Sequence, residues 1–175
     1  MPYLKVWFYD PSDDDEGMLN HLVARLDGPF CHCEVQFSDQ SACTVYMNSP
    51  IIFKARTFDK QMYSCVVLSC TSAQEIKAKD FIHQQMRANV RFSTLAMSLA
   101  MMPSVMPYMG RGTFCSKLCA DVLIECGLLE AGVQTGKLSP SALHRLIATV
   151  TPKLPVTSKP LDFCEKLASN QSVNL

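Results

Sequence analysis

The chain has 175 residues, 48% hydrophobic and 18% charged, enough apolar material for one sizeable core and too much for a disordered protein. Formal net charge is zero, with no basic cluster or aromatic–basic interleaving, which argues against nucleic acid or an anionic membrane as a partner. Nine cysteines, an odd number without framework spacing, suit a reducing compartment, and Met1-Pro2-Tyr3-Leu4-Lys5 lacks the features of a signal peptide, so a cytoplasmic protein with free thiols is expected.

Residues 4–9 (Leu-Lys-Val-Trp-Phe-Tyr) read as a strand ended by Asp10-Pro11. The run Ser12-Asp13-Asp14-Asp15-Glu16 suits a helix N-terminus and lacks the alternating ligands and central glycine of a calcium loop. Met18, Leu19, Leu22, Val23 and Leu26 form that helix's apolar stripe, and Gly28-Pro29 ends it. Strand-like runs follow at 30–37, 43–47, 51–58 and 63–70, and their short connections predict an antiparallel meander. A helix is expected over 72–86, with Ser72 as N-cap, Glu75 completing a capping box, and Ile76, Phe81, Ile82 and Met86 on its apolar side. The most apolar stretch, 94–109, is shorter than the ~20 residues a membrane helix needs and is interrupted by Pro103 and Pro107. Its methionines suit core filling, or alternatively an adaptable flap or substrate-facing wall.

Gly110-Arg111-Gly112-Thr113-Phe114 then leads into an amphipathic run that closes on Gly127. Leu118, Val122 and Cys126 recur at helical spacing, with Cys119 and Leu123 beside them, so Cys115 falls at a helix N-terminus. Ser139 and Pro140 start a last helix that buries Leu143, Leu146 and Ile147. Residues 151–175 are rich in proline, serine and lysine and form a tail, with a short helix expected near 161–167. Strands followed by helices indicate a single α+β domain over residues 1–150.

A helix N-terminus stabilises a thiolate, so Cys115 is a candidate nucleophile. Such a nucleophile needs a base. His83 lies on a polar helix side, and packing or exposure accounts for His21 and His144. His32 differs, because it lies in the strand Phe30-Cys31-His32-Cys33-Glu34-Val35-Gln36-Phe37. Alternation places Cys31, Cys33, Val35 and Phe37 on a core face and His32, Glu34 and Gln36 on the other. That polar row is expected to face the Cys115 helix, with Glu34 orienting the imidazole. The same alternation separates His32 from Cys31 and Cys33, which argues against a metal site, and no cofactor is expected.

A strand with His-x-Glu (His32, Glu34), then a sheet and a helix, then Phe114-Cys115-Ser116 at a helix start, resembles the circularly permuted papain-like cysteine hydrolases. These are the permuted branch of the NlpC-like superfamily, with YiiX-like and poxviral members and lecithin:retinol acyltransferase-type enzymes as cousins. Leu138-Ser139-Pro140-Ser141-Ala142-Leu143 is similar to a Ser-Pro-x-x-Leu helix start in many members, and the resemblance spans about residues 4–147. It implies a permuted papain-like fold, Cys115 as nucleophile and His32 as general base acting through a thioester on an amide or ester. The third polar residue would be Glu34, or, from the following strand, Tyr46 or Asn48. Phe114, Ser116, Lys117 and Met109 are candidate substrate-binding residues, for a peptide, acylated or lipid-like small substrate. For a viral member the host cytoplasm would be the setting. Lys117 stands where members commonly carry glutamate. Two other readings are a catalytically silent binding or structural module and a redox pair of Cys115 and Cys119, whose spacing has one residue more than CxxC.

Overall fold

Alternation in the first strand sets the inside of the sheet. In β1 (Tyr3–Tyr9), Leu4, Val6 and Phe8 are fully buried, while Lys5, Trp7 and Tyr9 take the opposite, outer face. The computed structural model describes residues 2–12, 18–100 and 112–150. The acidic run at 13–16, Met109 and the tail at 151–175 with its expected helix lie outside them. After β1 come α1 (Met18–Asp27), β2 (His32–Gln36), β3 (Ser41–Val45), β4 (Ile51–Ala55), β5 (Tyr63–Ser69), α2 (Ser72–Arg87), α3 (Thr94–Ala100), α4 (Cys115–Glu125) and, past a 3-10 turn at Thr135–Lys137, α5 (Pro140–Val150). The architecture is α+β: an antiparallel sheet of order β4-β3-β2-β1-β5, with β2 at its centre.

The expected meander holds only for β2, β3 and β4. β5 pairs with β1 instead of β4, so residues 56–62 must pass from one edge of the sheet to the other. Four strand spacings of ~4.8 Å make ~19 Å, within reach of such a run at ~3.3 Å per residue. The run lies over the outer face. Phe58 stacks on Trp7 at 4.8 Å and 9°, Trp7 Nε1 donates to Gln36 Oε1 at 2.9 Å, and Gln36 Nε2 donates to the Arg56 carbonyl at 2.8 Å.

The inner face carries the core. Cys33, Val35, Phe37, Cys43 and Val45 join the β1 residues against Leu118, Cys119, Val122 and Leu123 of α4, Leu143 and Ile147 of α5, and Ala78 and Ile82 of α2. Cys126 is the C-cap of α4, and Gly127 follows in the left-handed conformation (φ 72°) that glycine adopts without strain. At α5, Ser139 caps as expected, its Oγ accepting from the Ala142 N–H at 2.9 Å. Among the described residues no helix is long and apolar enough to cross a membrane.

The start of α2 differs from expectation. Thr71 is the N-cap, in extended backbone, and Gln74 returns the reciprocal bond of the capping box. Glu75 instead accepts from the Ser38 N–H and hydroxyl at 3.1 and 2.7 Å and pairs with Lys79 at 3.2 Å. That contact sets the helix rotation, so Ala78 and Ile82 are buried while Ile76 and Met86 are exposed. Thr71→Ala should therefore cost about 1 kcal/mol in urea unfolding, whereas Ser72→Ala should leave the midpoint nearly unchanged.

Candidate active site

Phe114, extended at φ −144°, has no side-chain oxygen, so the first N–H groups of α4 receive no side-chain cap. Cys115 opens the helix at this uncapped, positive end and is only 6% exposed. Thr113 holds the approach through a parallel bridge to Phe92 and a bond from its N–H to the Arg91 carbonyl at 3.0 Å. Gly112 (φ 150°) must be glycine here, since a Cβ would lie 2.7 Å from Ser93 Cβ. Ser116, fully buried, donates to the Leu138 carbonyl at 2.6 Å and ties α4 to the start of α5.

The polar row of β2 does not face α4, contrary to expectation. The helix packs on the Cys33, Val35 and Phe37 face, and Glu34 and Gln36 lie under the crossing run that carries Arg56. A helix has to bury an apolar stripe, and only the inner face offers apolar partners. His32 nevertheless reaches Cys115, because it is the first residue of β2, at the end of the sheet beside the start of α4. Its Nε2 lies 2.9 Å from Thr44 Oγ1 and 3.6 Å from Glu34 Oε1, and the imidazole also hydrogen-bonds Cys115. The ring stacks on Tyr46 at 5.0 Å and 20°.

Glu34 is wholly buried, so its charge must be compensated. Arg56 Nη1 lies 2.8 Å from Oε1, the Tyr46 hydroxyl donates to Oε1 at 3.2 Å, and Arg56 also donates to the hydroxyls of Tyr46 and Tyr63. Burial, with the Glu34 charge adding to it, pushes Tyr63 up to about 12.

The dyad is polarised. A hydrogen bond from the Cys33 thiol, helped by the positive charge of His32, holds the Cys115 thiol well below its ordinary value against the opposing effect of burial. Burial alone would depress His32, but the Cys115 thiolate and Glu34 reverse this and raise it to about 10. Both shifts favour the thiolate–imidazolium form of the pair over the neutral one, which sets a nucleophile beside its proton donor.

A cleft of about 420 Å³ opens on both groups, walled by Val23, Val45, Met47, Phe92 and Met97 with the ring of Tyr46. Asn20 of α1 also lines it. A small recess adjoining Cys115 includes Phe114 and Ser116. Lys117 stands elsewhere, paired with Asp121 in a larger groove of about 770 Å³ that includes neither His32 nor Cys115. Asn48 occupies an exposed turn (φ 62°), its carbonyl accepting from Arg91. His144 packs edge-on against Phe8 at 4.9 Å, and His83 is exposed against Phe53. Among the described residues no group of three or more His, Cys, Asp or Glu side chains could hold a metal ion.

Thr44, Arg56, Asn20 and Cys33 carry no motif that sequence reasoning could have used. Thr44 alone left a trace. Extending the register Val35↔Cys43 sets Glu34 against Thr44 and His32 against Tyr46. No protein-family profile matches the chain, and no curated protein or solved structure is significantly similar to it.

The polarised dyad has a direct consequence for thiol chemistry. Cys115 should alkylate with iodoacetamide along a pH curve whose rise lies well below that of an ordinary thiol. His32→Ala should move the rise up toward ~8.5, because the cation that favours the thiolate is gone. Thr44→Val should slow alkylation more than Thr44→Ser does. Curves that superimpose across these variants would remove the dyad.

Proposed function

We propose that the protein is a cysteine-dependent hydrolase or acyltransferase of the circularly permuted papain-like kind, acting on an amide or ester through a thioester on Cys115. The observation that carries this reading is the buried pairing of a lowered Cys115 thiol at an uncapped helix N-terminus with a raised, Thr44-held His32. The chain order, with His32 on a sheet strand ahead of Cys115, supports the permuted type. The Cys115 thiolate attacks the carbonyl carbon, and electrons move to the carbonyl oxygen. Backbone N–H groups at the uncapped start of α4 are the donors available to that oxygen, and Asn20 lines the same cleft. His32 gives its proton to the leaving alcohol or amine. It then takes one from water or a second acceptor as the thioester is released.

The cleft favours an uncharged, apolar acyl group, because no Lys, Arg, Asp or Glu is among the described residues that line it. Thr44 holds the imidazole in place. Glu34 lies close enough to stabilise the imidazolium, while Arg56 compensates its charge.

A panel of p-nitrophenyl esters of increasing acyl length, with peptidyl esters and amides beside it, tests the reading. A covalent acyl adduct on Cys115, seen by mass spectrometry and removed by hydroxylamine, is expected in wild type and absent from Cys115→Ala. Turnover should fall by ~10²-fold or more in His32→Ala, the usual contribution of a general acid–base. It should also decline on the alkaline side as His32, raised to about 10, loses its proton. No adduct and no turnover from a folded protein with a reactive Cys115 would count for a silent module.

A further inference from the structure

Cys115 has a second thiol against it. Cys33, on the inner face of β2, is fully buried and lies within hydrogen-bonding reach of both Cys115 and Cys119, one helical turn further on, with its single thiol proton shared toward the two sulfurs. The three sulfurs belong to one buried cluster, and only Cys115 also lines the open cleft. We propose that Cys33 is a resolving cysteine, so that oxidation of Cys115 by a peroxide ends in a reversible Cys33–Cys115 disulfide that silences the site. This rests on Cys115 being a reactive thiolate and does not depend on which substrate the site takes.

The chemistry closes without another reagent. The Cys115 thiolate attacks one peroxide oxygen; an S–O bond forms, the O–O bond breaks, and the departing oxygen takes the proton held by His32. Cys115 is now a sulfenic acid, and the peroxide is reduced to water or alcohol. The Cys33 sulfur then attacks the Cys115 sulfur; the S–S bond forms, the S–O bond breaks, and the Cys33 proton leaves with the hydroxyl as water.

Geometry selects Cys33 over Cys119. Residues one turn apart on a helix hold their Cβ atoms ~5–6 Å apart, beyond the ~3.5–4.5 Å of a disulfide. Cys115 and Cys119 could therefore join only if the first turn of α4 unwound, whereas Cys33 approaches from a different element. Because the Cys33 thiol is buried, it is shielded from the peroxide and keeps its proton until Cys115 is oxidised.

The test is a non-reducing peptide map of the full chain after a few equivalents of hydrogen peroxide. A Cys33–Cys115 crosslink is expected, with Cys115 alkylation lost and then restored by dithiothreitol. In Cys33→Ser and Cys33→Ala the same treatment should carry Cys115 on to sulfinic acid, which dithiothreitol does not reverse. A wild-type crosslink to Cys31 or Cys119 instead, or sulfinic acid without any crosslink, would overturn the proposal; the wild-type map stands even if both variants misfold. Alkylation of the untreated, reduced protein separates the two readings. A Cys115 no faster than the other thiols defeats the activated nucleophile itself, and a fast Cys115 without the crosslink defeats only the role of Cys33.

Discussion

A carboxylate without solvent exposure stands behind the imidazole of this site, and much of the outer face is arranged around it. Removing the Glu34 charge from water is costly unless a cation and hydrogen-bond donors meet it. Arg56 is that cation, and it arrives from a run of chain that has to cross the sheet to join β4 to β5. The same crossing sets Phe58 on Trp7 and places the Arg56 carbonyl on Gln36. One topological requirement thus satisfies the polar row of β2 and covers it. The His32 ring is held between Thr44, Tyr46 and Glu34 in consequence.

On the other face the determining factor is size. Cys33, Cys119 and Ala120 are small, and all are buried between the central strand and α4. Small side chains let a helix approach a sheet closely, which brings the start of α4 against the start of β2. Cys115 sits there among helix N–H groups that no side chain caps. The thiol of Cys33 and the charge of His32 then favour the thiolate more than burial disfavours it. A single packing contact therefore serves the core and the electrostatics of the nucleophile.

Local geometry gives the dyad its chemical character. A thiol and an imidazole that shift each other in opposite directions suit nucleophilic chemistry better than a structural contact. The cleft over them combines apolar walls from Val23, Val45, Met47, Phe92 and Met97 with the polar residues Tyr9, Asn20, Tyr46 and Tyr63. Lys117, whose place in the first turn of α4 drew attention in the sequence, forms an ion pair with Asp121 away from that cleft.

Much of this was legible in the amino-acid order. Period-two and helical patterns placed every strand to within a few residues, and the helices α1, α2, α4 and α5. They did not place α3, which falls in the stretch read only as apolar. The helix start at Cys115 and the unusual histidine of a strand marked the dyad. Such signals are local, set by which neighbours along the chain share a face. The misplaced cap at Thr71 was local as well: Thr71 and Ser72 are both good caps, and Glu75 looked like a capping-box partner until Ser38 claimed it. Which face of β2 the helix covers, which strand β5 pairs with, and that Thr44, Arg56 and Cys33 meet the dyad were decided only in three dimensions. Those contacts join residues distant in the chain, and their partners are chosen by burial and charge compensation, which no spacing along the sequence encodes.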